Sequence, residues 1–96
     1  MKVKLDDYDI RVLINGLFQH RRDYDAHTNN AIDELLLQVL RASGNMKPCR
    51  KKKFHFDHHQ LRLIRMCLIE WRNQHMLDGK INAADAIGDL IILFSH

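Results

Sequence analysis

The residues best placed to do chemistry gather near the middle of the chain. Lys47, Arg50, Lys51, Lys52 and Lys53 put five positive charges within seven residues. Such a run could neutralise nucleic-acid phosphates or meet an acidic protein surface. Overlapping it, Cys49, His55, His58 and His59 form the pattern C-x5-H-x2-H-H. Thiolate and imidazole are zinc ligands, and a helix start disfavours protonated imidazole, which would keep these rings free to ligate. The paired C-x2-C spacing of structural zinc sites is missing, however, and no fourth ligand is evident. Cys49, His55 and His59 therefore read first as surface residues beside a helix cap, and no metal or other cofactor is expected.

Catalytic patterns are sparse. The chain has two serines, Ser43 and Ser95, and one threonine, Thr28, with four scattered glycines. A phosphate-cradling loop needs clustered glycines and a Lys-Ser/Thr pair, and a nucleophile elbow needs glycines flanking its serine. Neither exists, so most hydrolase and transferase chemistry is poorly supported and the chain reads as a non-enzyme. One spacing points elsewhere. Arg22-Asp23-Tyr24-Asp25-Ala26-His27 resembles the Arg-polar-x3-His motif of metal-independent ribonucleases of the HEPN class. The resemblance implies a phosphate-orienting Arg22 and an acid–base His27. With eight arginines and seven histidines in 96 residues, the spacing also arises easily by accident. Trp71 and Cys67 fit a helix interior, with an interface anchor as the alternative for Trp71.

The totals bound what can hold these groups. Ninety-six residues suit one domain spanning 1–96, and 46% apolar residues suffice for one core. No apolar run approaches membrane-spanning length, and MKVKLDDYD has no apolar core after its lysines. A cytoplasmic, non-membrane protein with reduced thiols is the expectation. Charge is uneven: residues 1–46 carry a net of −1 and residues 47–96 a net of +4. The basic character is a local patch, which Arg62, Arg65 and Arg72 extend along a helix.

Two similar units must position these residues. KVKL alternates polar and apolar, as a half-buried strand does. Asp6 caps a helix with Asp9 three residues on, and Leu5 staples to Ile10. Ile10, Leu13, Ile14, Leu17 and Tyr24 trace its buried face. Asn30 is expected to cap a second helix with the stripe Ile32, Leu35, Leu36, Val39 and Leu40, ended by Ser43-Gly44-Asn45 in a left-handed exit. A shift of 51 positions repeats the grammar. KFHF is the strand, Asp57 caps with Gln60 three on, and Phe56 staples to Leu61. Leu61, Ile64, Leu68, Trp71 and His75 follow, Asp78-Gly79 ends the helix, and Asn82 caps a last one with the stripe Ala83, Ala86, Ile87, Leu90, Ile91 and Phe94. The pattern predicts a mainly α fold with a small two-stranded β ribbon: two strand–helix–helix repeats, 2–42 and 53–94, packed about a pseudo-twofold axis and joined by a basic linker, 45–52. On the ribbon, Lys53 and His55 project from the open face while Phe54 and Phe56 point inward.

Asn15, Leu17, Arg21 and the run Asp33-Glu34-Leu35-Leu36-Leu37 resemble small helical proteins encoded on phages and integrative elements of Firmicutes. The second unit departs from that pattern, with Met66 in place of the asparagine and Gly88-Asp89-Leu90-Ile91-Ile92 for the final run. The resemblance implies a genomic neighbourhood that holds transcriptional regulators and anti-CRISPR-type inhibitors, and it brings no catalytic residues. The expectation is a non-catalytic binding protein that inhibits or modulates a host defence nucleoprotein by occupying its surface. The alternative is a small nucleic-acid-binding transcriptional regulator using the basic patch, and the third reading is the ribonuclease. The candidate contact residues are Lys47, Arg50, Lys51, Lys52, Lys53, His55, Arg62 and Arg65. The partner is a host protein or nucleoprotein, with nucleic acid and a homodimer left open.

Overall fold

A computed structural model describes residues 2–44 and 51–95. Lys47, Cys49 and Arg50, most of the linker 45–52, and the proposed exit residue Asn45 lie outside the described residues. The described elements run β1 (Lys2–Leu5), α1 (Asp7–His20), α2 (Ala26–Ser43), β2 (Lys52–His55), α3 (His58–Leu77) and α4 (Ile81–Leu93). The fold is mainly helical with one two-stranded antiparallel sheet.

Local chemistry fixes the first helix of each unit. The Asp9 amide donates to Asp6 Oδ1 at 2.7 Å and the Asp6 amide to Asp9 Oδ2 at 3.2 Å. Asp57 and Gln60 form the same reciprocal box at 2.7 and 3.1 Å. These bonds satisfy amides that the first helical turn leaves without partners. The staple residues Leu5, Ile10, Phe56 and Leu61 are all buried. Because side chains alternate across a strand, Val3, Leu5 and Phe54 point to the core from the same ribbon that sends lysines to solvent. Phe54 stacks on Phe56 with centroids 5.8 Å apart, and Phe56 meets Phe94 of the last helix at 5.9 Å.

Helix α1 is the organising element, packing on α2 and α3 and meeting α4, while α3 and α4 form a hairpin. Helices α1 and α3 approach closely at Gly16. A Cβ there would lie 2.8 Å from Leu68 Cδ2 and 3.2 Å from Trp71 Cε3, so only glycine allows this spacing without a shift. The units differ in proportion: α1 and α2 have 14 and 18 residues, α3 and α4 have 20 and 13.

Several sequence expectations fail at the second helices. Helix α2 begins at Ala26, not after Asn30, because Asp25 Oδ1 accepts from the Thr28 amide at 2.7 Å. That hydrogen bond holds the Asp25 carboxyl below its usual range. Asn29 closes the preceding loop by bonding both the amide and the carbonyl of Tyr24. The first turn of α2 carries no buried apolar residue, so periodicity could not reveal it. Gly44 is right-handed, with φ −61°, in place of the expected left-handed exit. Helix α4 starts at Ile81 after Lys80, with no side-chain cap, and Asn82 lies within its first turn. The turn closes early because Gly79 adopts φ +77° and the Lys80 amide reaches His75 O at 2.8 Å. The buried stripe of α4 is accordingly Ala84, Ile87 and Leu90, continued by Phe94 just past its end, while Ala83 is exposed. Tyr24 falls beyond the end of α1 yet still packs against the core.

Candidate anion-binding face

The ladder pairs Lys2 with His55, Val3 with Phe54 and Lys4 with Lys53. Directly opposed residues share a face, so Lys2, Lys4, Lys53 and His55 stand together on the open side. All four are exposed. Their lysines make no ion pair among the described residues. Like charges directly opposite each other cost stability. Lys4 and Lys53 accept that cost with no carboxylate between them. Alternate residues on one strand are about 6.8 Å apart, so the face presents a compact grid of cationic tips.

The structure divides the sequence-derived candidates. Lys53 and His55 lie on the ribbon face. Lys51 is exposed just before β2 and lies close enough to Asp9 to oppose the rise in that carboxyl's pKa, which burial drives. Lys52 is diverted: its Nζ donates to Ala42 O at the end of α2, where the carbonyls are otherwise unsatisfied. Arg65 is diverted as well, its guanidinium donating to Phe94 O at 3.0 Å beyond α4. Arg62 is exposed on α3. Sequence reasoning missed Lys2 and Lys4. The alternation in KVKL carried their orientation, but only the strand register shows that they face Lys53 and His55.

His55, His58 and His59 are all exposed. Among the described residues, no group of three or more His, Cys, Asp or Glu side chains could hold a metal ion. Arg22 and His27 are exposed, Asp25 is occupied as the α2 cap, and Asp23 turns to His20.

That last contact belongs to a polar cluster around the buried His20 that the sequence did not announce, with Asp23 and Glu70 on its exposed side. His20 is 5% exposed, and its Nδ1 lies 2.8 Å from Asp23 Oδ2 and 4.0 Å from Glu70 Oε2. Among the described residues, its Nε2 is buried without a hydrogen-bond partner. Burial, then the nearby charges of Cys67 and Glu70, pushes the Tyr24 hydroxyl up. Burial, then Glu70 and Asp23, pushes the Cys67 thiol up to about 12. A thiol so held is a poor nucleophile, since the thiolate is the reactive form. The cluster is therefore a packed seam between the end of α1 and the middle of α3.

Comparison of the chain with protein-family models, with curated proteins and with solved structures finds no match. No helix among the described residues is long and apolar enough to cross a membrane.

Proposed function

We propose that this chain is a non-catalytic binding protein that occupies an anionic surface of a host nucleoprotein with the open face of its ribbon. The carrying observation is the direct opposition of Lys4 to Lys53, beside Lys2 and His55, on one exposed face without an ion pair. An incoming anion would relieve that repulsion. Lysines also guard sheet edges against unwanted pairing, so binding itself must be measured. The fate of the nucleophile candidates supports a non-enzyme. Ser43 Oγ donates to Leu40 O at 2.9 Å and Ser95 Oγ to Ile91 O at 2.8 Å. Cys67 is buried. The more specific form, an inhibitor of a defence nucleoprotein in the cytoplasm, rests on the sequence resemblance to mobile-element proteins.

One observation favours a second reading. A two-stranded ribbon is a shape that the major groove of duplex DNA admits, which suits a nucleic-acid-binding regulator. Titration of the isolated protein with duplex DNA at graded salt, beside affinity capture from host lysate at physiological salt, separates the two. The lead reading expects weak, sequence-blind DNA binding and co-purification of a nucleoprotein identified by mass spectrometry. Tight, sequence-selective binding by the isolated protein would promote the regulator instead. The ribonuclease reading requires that RNA be cleaved and that Arg22→Ala or His27→Ala abolish cleavage. We also propose that the two units arose by duplication and sit about a pseudo-twofold axis. Superposition of an experimental structure's residues 2–42 on 53–94 tests that, and mismatched helix crossings would exclude it.

A further inference from the structure

The α3–α4 hairpin carries a second surface that owes nothing to the ribbon. A groove of about 700 Å³ runs between the end of α3 and the outer side of α4. Ala84 and Gly88 line it, and their small size keeps that part of the groove low. At Gly88 a Cβ would meet only Arg72 Cδ, at 3.8 Å, so the glycine leaves room above the helix. Met76, Ile81 and Ile92 also line the groove with 57%, 64% and 58% of their surfaces exposed. Ile81, Asp85, Gly88 and Ile92 recur at helical spacing along one side of α4, the side turned away from Ile87, Leu90 and Phe94. Core packing therefore leaves this apolar strip uncovered.

Its charge narrows what covers it. Helix α4 contains no lysine or arginine. Asp85 and Asp89, one turn apart on the groove, are exposed and in no ion pair among the described residues. Two like charges at this spacing repel each other along a helix. Arg72, in the opposite wall, has a buried Nε with no hydrogen-bond partner. Among the described residues, its side chain makes one hydrogen bond, a long one of 3.5 Å to Asn73. Asp85 and Asp89 on this apolar strip disfavour nucleic acid, and the single cation of the groove lining, Arg72, does not outweigh them. A second copy packed α4 against α4 would set its own Asp85 and Asp89 near these two.

We infer that the α3–α4 groove docks a basic amphipathic helix of a protein partner. Apolar side chains spaced i, i+4, i+7 would lie over Ala84 and Gly88 between Met76, Ile81 and Ile92, and flanking lysines or arginines would meet Asp85 and Asp89. The flexible Met76 suits a helix whose side chains are not uniquely specified. The 13 residues of α4 set the scale of the bound segment at three to four turns, about 20 Å. This surface is independent of the ribbon, so either assignment can fail alone.

The test uses the full chain and two fluorescein-labelled 14-residue helical peptides, each with leucines at i, i+4, i+7 and i+11. One has lysines on the flanks and the other glutamates. Fluorescence anisotropy should show the lysine peptide binding at least tenfold tighter than the glutamate peptide, with affinity falling as salt rises. Asp85→Asn with Asp89→Asn should weaken the lysine peptide about five- to tenfold and flatten its salt dependence. Gly88→Leu, which fills the groove floor, should abolish binding. Ile81→Glu, at a largely exposed position, should do the same and guards against a folding defect in the glycine variant. A combined Lys4→Ala and Lys53→Ala variant should bind as the parent does. Equal binding of the two peptides, no binding of either, or loss of binding in the ribbon variant would overturn the assignment. So would a concentration-dependent dimer in sedimentation that Gly88→Leu dissolves, since the occupant would then be a second copy.

Discussion

The ribbon face and the α3–α4 groove are both exposed, yet they are built in opposite ways. On the ribbon, core and surface alternate residue by residue: Val3 and Phe54 are buried, while Lys2, Lys4, Lys53 and His55 are not. The solvent side, where we propose binding, is thus separated from the stabilising side by the strand's two-residue period. In the groove, one helix serves both roles around its circumference. Ala84 is buried in packing while also lining the groove, and Gly88 sits between Arg72 and solvent. Charges on a strand can therefore be changed with little effect on folding, whereas the groove offers small, shape-bearing residues whose replacement alters the surface itself.

The sharpest break between the two sides of the ribbon is expected at neighbouring residues. Phe56, 2% exposed and packed between Phe54 and Phe94, should cost about 3–5 kcal/mol when changed to alanine, read by denaturant unfolding. A loss under about 1 kcal/mol would mean that the ribbon does not sit on the core as described.

Next in size is a pair of glycines that look alike in sequence. Gly16→Ala drives a methyl into Leu68 and Trp71 and should destabilise by about 1–3 kcal/mol. Gly88→Ala meets only ordinary contact and should be neutral or stabilising by up to about 1 kcal/mol, because glycine is a poor helix former. Equal effects at the two sites would contradict the difference between a closed helix seam and an open groove.

A smaller effect reports on the seam beside the groove. In a Cys49→Ser background, Cys67 should resist alkylation, since a thiol pushed up to about 12 leaves only about one thiolate in ten thousand at pH 8. The sign for stability follows. The folded thiol holds its proton more tightly than the unfolded one, so its contribution is present below the ordinary thiol value near 8.5 and is lost as pH rises toward about 12. Thermal melts should fall across that window, and less so in Cys67→Ala measured against its own neutral-pH midpoint. Rapid alkylation of the native protein would show that the seam opens.

Much of the scaffold was legible because capping and alternation are local. Asp6 with Asp9, Asp57 with Gln60, and the staples at Ile10 and Leu61 were readable from spacing alone. The misses have a common physical origin. Asp25 caps α2 with its carboxylate, and Gly79 at φ +77° closes α3 early enough for α4 to begin at Ile81; neither connection has apolar periodicity, so Asn30 and Asn82 look like caps in the sequence. Of the open ribbon face, Lys53 and His55 were legible from strand alternation. Lys2 and Lys4 were not, because cross-strand neighbours are fixed by register between segments some fifty residues apart. Lys52 and Arg65 misled for the reverse reason: their basic charge was visible, but the carbonyls of Ala42 and Phe94 that engage them are tertiary partners.

The smallest expected stability effect belongs to the ribbon lysines and leads to the central test. Lys2→Ala, Lys4→Ala and Lys53→Ala combined should shift folding by no more than about 0.5 kcal/mol per site, and relief of the Lys4–Lys53 repulsion could make the change favourable. The decisive measurement is the affinity of this triple variant and its parent for the captured nucleoprotein, from 50 to 200 mM salt. If the ribbon meets phosphates, three such contacts give the parent a fall of about 40-fold over that range, from a slope near −0.9 per phosphate. If the ribbon is the binding surface, the variant, with an unchanged melting midpoint, binds at least tenfold more weakly at low salt and with a clearly flatter dependence. Equal affinity and equal salt dependence in the two proteins would contradict it and move the binding surface away from the ribbon.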